Sequence, residues 1–198
     1  MAVLKLRKGE VPAIGPSPTL GPEEVQLQKY GKKMFKQNFS YPDGRVLDFW
    51  LFGADVVPIF IFAVTKASEV IVTWQYRHAV DAWILELPGG NPKDGQTHED
   101  VLRLELLEET GYWPKGAHIF RDRQVFIDPA SVRVRGLVAV AWDCEFVQEP
   151  KPDSTELIVP VLYDLEDWVA MCDEGQVSDA KSVQATRWAV NFLEGRKA

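Results

Sequence analysis

Cysteine is nearly absent from this chain of 198 residues. There are two, Cys144 and Cys172, and they lack the close pairing of zinc sites and redox motifs. Both read as reduced, buried thiols of a cytoplasmic protein. The three histidines, His78, His98 and His118, fall at no metal-ligand spacing and read as structural. Long apolar runs are missing too. The run "VVPIFIFAV" (56–64) is too short to span a bilayer and carries a proline, so a core strand is expected. The first residues hold no apolar stretch of the signal-peptide kind. Positive charge is in deficit, with 22 Lys and Arg against 29 Asp and Glu, a net charge of −7. That balance leaves no footprint for duplex nucleic acid or an anionic membrane. A small phosphorylated substrate fits such a surface only if a cation mediates.

What is present is ordinary globular composition, 46% hydrophobic and 26% charged, enough for one domain with a sizeable core plus an arm. Residues 1–28 include "GEVPAIGPSPTLGPEE", whose prolines and glycines predict a flexible arm, with order beginning near Tyr30. Residues 29–54 predict a hairpin around the turn "PDG" (42–44). Residues 55–198 form the main domain. There "VVPIFIFAV" and "EVIVTWQYR" read as paired strands, and "AWILELPGG" as a strand stopped by Pro-Gly-Gly. Thr97 with Asp100 is a capping-box start for a helix that runs to Thr110 and stops at Gly111. Strands are predicted at "HIFRDRQVFI", "VRGLVAVAWDCEFV" and "ELIVPVLY". Helices follow from Asp164 and from near Ser178, with Ser178 or Asp179 as the last cap. The pattern predicts a mixed sheet packed with helices.

The stretch "LELLEETGYW" (104–113) sets the functional question. Glu105, Glu108 and Glu109 share one face of the helix, where like charges at these spacings destabilise it. They also crowd its C-terminal end, the wrong end for negative charge. Val101, Leu102, Leu104, Leu106 and Leu107 surround the helix with apolar side chains, so it is expected to be largely buried. A solvated acidic stripe would explain the charges without function. A divalent cation such as Mg²⁺, which takes carboxylate oxygens and substrate phosphates, would turn the repulsion into coordination.

The flanks favour the cation. The segment "GNPKDGQTHEDVLRLELLEETGY" (90–112) resembles the Nudix box, G-x5-E-x7-R-E-U-x-E-E-x-G-U, with Gly90, Glu105, Leu106, Glu108, Glu109, Gly111 and Tyr112 in register. Gln96 stands where the box has its first Glu, and Leu104 where it has Arg. In the family these two form an ion pair tying the loop to the helix. Losing both partners together strands no charge, so the loop is expected to be held by neutral contacts. Arg103 points to a different side of the helix.

Outside the box, "TWQYRHAVDAWILELPGG" (73–90) resembles the ADP-ribose pyrophosphatase-like subgroup at Gln75, Arg77, Glu86, Leu87, Pro88 and Gly90. "GQVSDAKSVQATRWA" (175–189) resembles a further subgroup signature, read as structural. The subgroup's marker proline is matched only in part, by Pro129 followed by Ala130. The resemblance implies an α+β Nudix fold, an α/β/α sandwich with a mixed central sheet, the box helix and C-terminal helices, plus an N-terminal β-hairpin region. It implies Mg²⁺ or Mn²⁺ held by Glu105, Glu108, Glu109 and the Gly89 carbonyl. It implies hydrolysis of a nucleoside diphosphate linked to X, ADP-ribose or a nucleotide sugar, to a nucleotide and X-phosphate. Arg77 would contact the diphosphate, and Glu86 the substrate or metal. Tyr76, Trp83 or Phe39 would stack on the base. Glu156, then Asp153, is the expected general base, with Glu108 or Glu109 as the alternative. The subgroup also implies a homodimer built through the 29–54 region. A Nudix enzyme for triphosphates or dinucleotides, and a Nudix-fold nucleotide-binding module with little turnover, remain as other readings.

Overall fold

A computed structural model describes residues 5–10, 18–29 and 31–197. The chain divides into two compact units, Met1–Gly53 and Ala54–Ala198. The expected onset of order at Tyr30 lies outside the described residues.

The first unit is an antiparallel arrangement of β1 (Thr19–Lys29), β2 (Lys32–Ser40) and β3 (Val46–Ala54). The expected hairpin is β2–β3, closed where Tyr41 N donates to Arg45 O and Gly44 N to Tyr41 O. β1 corrects the arm. From Thr19 onward its residues pair with β2, despite the proline and glycine content. Pro22 is tolerated because β1 is an edge strand and its pairing is irregular between Leu20 and Glu24.

The second unit is built on β4 (Ile59–Thr65) and β5 (Glu69–Arg77), joined by the turn through Ser68. β6 (Ala82–Glu86) extends the β5 edge, and β7 (Gly89–Gly90) pairs with the start of β4. α1 (His98–Thr110) follows. Then come β8 (Tyr112–Trp113), β9 (Gly116–Ile119), β10 (Val125–Phe126) and β11 (Val132–Arg133). β12 (Arg135–Phe146) runs parallel to β4, and β13 (Ile158–Asp164) antiparallel to β5, so the sheet is mixed. α2 (Leu165–Asp173) and α3 (Ala180–Lys197) complete the chain. The single strand predicted at 118–127 is in fact β9 and β10. The run Arg121–Asp122–Arg123 interrupts the apolar pattern and turns the chain, and each half pairs separately with β12.

Side-chain alternation divides the sheet into two cores. Ile59, Ile61, Ala63 and Ile71 face α1 through Val101, Leu102 and Leu106. Phe62, Val64, Val70 and Val72 face the opposite way, toward Trp168 of α2 and Ala185 and Ala189 of α3. This is the expected α/β/α layering. Cys144 and Cys172 are buried free thiols.

Candidate active site

α1 begins as its sequence dictates. The Thr97 side chain accepts from Asp100 N, and the Asp100 carboxylate accepts from Thr97 N, the reciprocal capping box. It ends at Gly111, whose φ of 80° is left-handed and whose N–H donates to Leu107 O. A second constraint acts there, because a Cβ on Gly111 would lie 2.1 Å from the Gln148 carbonyl oxygen. The segment after β12 packs onto this helix end. Val147 N donates to Gly111 O at 2.9 Å, and Lys151 N to Glu108 O at 2.7 Å. Two terminal carbonyls are thereby satisfied, and the loop carrying Asp153 and Glu156 is fixed beside the glutamates.

Two glycines seat the carboxylates. Gly89 lies against the β4 backbone so closely that a Cβ would come 2.2 Å from Ile59 O, and its N–H donates to Glu109 Oε2 at 3.0 Å. Gly90 lies against Glu105, where a Cβ would come 2.2 Å from Oε1. The Leu-Pro-Gly-Gly strap is itself held, with Pro88 O accepting from Ile61 N at 2.8 Å and Leu87 N donating to Ser182 Oγ at 2.8 Å.

The electrostatics follow from this crowding. Burial first, then the charges of Glu108 and Glu156, push Glu105 up to about 7 from an ordinary 4.5, against a small opposing pull from Lys93. Glu109, 3% exposed, is raised well above its ordinary value. Burial is the main cause there, the Gly89 N–H offsets part of it, and Glu105 and Glu156 add to it. Acids from two segments distant in sequence, Glu105, Glu108 and Glu109 on α1 and Asp153 and Glu156 on the loop, thus share one field. Glu156 Oε2 accepts from Asp153 N at 3.2 Å and Glu156 N donates to Asp153 O at 2.9 Å, so the loop closes on itself.

Beside this cluster is a charge network. Arg77 forks onto Glu86, Nε to Oε1 at 2.6 Å and Nη2 to Oε2 at 2.8 Å. Lys181 Nζ stands 3.7 Å from Glu86 Oε2 and also bonds Asp179. The Glu86 side chain is buried, while Arg77 keeps an exposed outer edge. Composition and spacing did not single out Lys181, Asp179 or Ser182 for chemistry. Only the resemblance of 175–189 to a family signature pointed there.

The expected stacking residues are placed differently. Strand pairing puts Tyr76 opposite Trp83, and Thr73 opposite Glu86. Tyr76 and Trp83 therefore share the sheet face opposite to Arg77 and Glu86. There the Tyr76 hydroxyl bonds Asp81, and Trp83 stacks on Trp74 with centroids 6.3 Å apart. They are not brought to the glutamates. Phe39 packs edge-on against Phe49 within the first unit.

At the two departures from the box no charged side chain is stranded, since one is an amide and the other apolar. Gln96 Oε1 accepts from Lys93 N at 2.8 Å, and Leu104 is half-buried. His98 Nε2 bonds Val57 O at 2.9 Å, tying the start of α1 to the chain before β4. Arg103 acts on Asp100, on another side of the helix.

Among the described residues no three His, Cys, Asp or Glu side chains close around a single point as a cage. A hard cation of the Mg²⁺ kind does not need one, since it takes one or two carboxylates and completes its shell with water and phosphate. The donors fit that chemistry. Glu105 and Glu109 are raised by burial and by neighbouring acids, and Gly90 leaves room at Glu105 that any side chain would fill.

A family model for the NUDIX domain matches residues 53–185. The ADP-ribose pyrophosphatase of Bacillus subtilis (strain 168) is 26% identical over 141 residues, 71% of this chain and 73% of that protein. The ADP-ribose pyrophosphatase of Saccharomyces cerevisiae (strain ATCC 204508 / S288c) is 30% identical over 101 residues, 50% of this chain and 43% of that one. A crystal structure of an ADP compounds hydrolase superimposes with a TM-score of 0.78 over 94% of this chain and 98% of its own, at 14% identity. At that identity the likeness speaks for the fold.

Proposed function

Because the chain belongs to the Nudix family and is a Nudix hydrolase, we propose that it hydrolyses the diphosphate bridge of ADP-ribose, or a closely related nucleoside diphosphate linked to a sugar, in a reaction that requires Mg²⁺ or Mn²⁺. The observation that carries this reading is the seating of Glu105 and Glu109 against Gly90 and Gly89, with Glu156 in the same field. The two relatives named for ADP-ribose support the substrate.

Glu105, Glu108, Glu109 and the Gly89 carbonyl would hold the cation. When bound, it would neutralise the diphosphate and lower the pKa of a water. The chain supplies the rest. Glu156 Oε2 is occupied by the Asp153 amide, so Oε1 is the atom to accept the proton of the attacking water. Asp153 is more exposed and serves as the hydrogen-bonding support of Glu156. Glu86 holds Arg77 by two of its donors, which leaves the outer edge of the guanidinium for a phosphate oxygen. The water oxygen goes to one phosphorus, the P–O–P bridge breaks, and a nucleoside monophosphate and a sugar phosphate leave. The same reading includes a homodimer built through the first unit.

A substrate panel with Mg²⁺ and with Mn²⁺, scored by product analysis, tests the assignment. ADP-ribose should give AMP and ribose 5-phosphate, and activity should vanish in EDTA and return with either ion. Preferential release of pyrophosphate from nucleoside triphosphates, or no turnover of any substrate, would overturn it.

A further inference from the structure

We propose that Ser182 and Asp179 are positioning residues: Ser182 Oγ, oriented by Asp179, fixes the Leu87–Gly89 strap and thereby sets the Glu109 carboxylate and the affinity of the glutamate site for a divalent cation. This rests on the metal-dependent reading above.

Ser182 is 2% exposed. Its Oγ donates to Asp179 Oδ2 at 2.7 Å and accepts from Leu87 N at 2.8 Å. A hydroxyl carries one proton and two lone pairs. Committing the proton to a carboxylate turns the lone pairs toward Leu87, so the charge on Asp179 fixes the direction of the acceptor. Ser182 is fastened from behind as well. Its carbonyl accepts from Thr186 Oγ1 at 2.8 Å, and Thr186 Oγ1 accepts from Trp168 Nε1 at 2.9 Å.

The strap passes this on. Pro88 has no N–H and a fixed φ, so Leu87 N and Gly89 N are the donors the strap possesses. One is held by α3, and the other holds Glu109. Lys181 adds a grip on the preceding residue through Glu86. The first turn of α3 thus controls three consecutive features: the Glu86 side chain, the Leu87 amide and, through Pro88, the Gly89 amide on the metal glutamate.

A plain helix cap would look partly the same. Asp179 Oδ2 accepts from Ser182 N at 3.0 Å, which is capping. The bond from Leu87 is not part of a cap. Ser182→Ala keeps the capping N–H and deletes the partner of Leu87, so the two roles separate in one variant.

The test is Mn²⁺ titration of the metal-free full-length protein, followed by the resonance of free Mn²⁺, together with amide hydrogen exchange at Leu87 and Gly89 and a thermal melt. Ser182→Ala should bind Mn²⁺ at least about tenfold more weakly, the range seen when supports of metal ligands are removed. It should also exchange faster at both amides. Ser182→Thr, which keeps the hydroxyl, should restore affinity. If Ser182→Ala does not fold, Ser182→Cys, with a weak sulfur acceptor, should show the same loss. A lower melting temperature with unchanged Mn²⁺ affinity would reduce Ser182 to a cap and overturn the proposal, provided that Glu109→Gln does lose Mn²⁺. If wild type takes up no Mn²⁺, or Glu109→Gln binds it as well as wild type, the glutamate site falls and this proposal with it.

Discussion

Glu105 and Glu109 stand where ionisation is costly, and that cost gives the metal-free protein an unusual dependence on pH. Below the ordinary value of 4.5 both the folded and the unfolded chain hold the Glu105 proton, and nothing is lost. As pH rises from there to about 7 the unfolded chain ionises and the folded one resists, so stability falls, and the full penalty remains above 7. This is opposite in sign to a salt-bridged carboxylate, whose contribution grows with pH. In EDTA, Glu105→Gln should therefore melt higher than wild type near pH 8, by about 2–4 °C for each kcal/mol relieved, and show little difference near pH 4. Differential scanning calorimetry at the two pH values checks this. The two glycines make a matched pair at the same scale. Gly90→Ala meets the movable Glu105 carboxylate, so the fold should survive while kcat/KM falls about 100-fold from misplacement. Gly89→Ala meets the Ile59 backbone carbonyl and should lower the melting temperature as well. Spacing alone showed that Glu105, Glu108 and Glu109 share one helix face, and the resemblance of 90–112 to the Nudix box separated a cation site from a solvated acidic stripe. The faces of Tyr76 and Trp83 were not, since a strand of either register alternates and only pairing with β6 decides which side they take.

α1 is the element whose limits could be read most fully. Its cap, its buried stripe and its glycine stop are local chemistry. The break between β9 and β10 was not legible, because its charged turn is stabilised by separate pairing with β12, a partner distant in sequence. The same distance hid the bond between Leu87 and Ser182. The loop before α1 closes through Gln96 on Lys93 N and through His98 on Val57 O, so restoring the family ion pair should add little. The double replacement Gln96→Glu, Leu104→Arg is expected to leave kcat/KM within a few-fold of wild type. A gain of orders of magnitude in steady-state assays would mean that the natural loop is poorly held. Leu106→Ala, in the core under α1, should lower stability by about 2–5 kcal/mol in denaturant melts.

For the whole molecule, 29 acids stand against 22 basic residues, and the proposed cation would supply the counter-charge at the α1 carboxylates. Among the described residues no helix is long and apolar enough to cross a membrane. In the first unit, Val46, Trp50 and Phe52 share one face of β3 with Asp48, which is paired to Lys36, and the three apolar side chains are each more than half exposed, a face suited to covering by a second copy. Light scattering should give twice the monomer mass, and Trp50→Asp should shift the protein toward monomer. The arm was misread from Thr19 on because composition registers proline but not the neighbouring strand that accommodates it. The central proposal is that the α1 carboxylates make the chain a cation-dependent diphosphatase. The most direct measurement is the turnover of ADP-ribose with Mg²⁺ by wild type and by Glu109→Gln, with both melting temperatures recorded. The account predicts AMP and ribose 5-phosphate from wild type, and loss of at least about 100-fold in a variant that melts no lower than wild type. Equal turnover by the two proteins would contradict it.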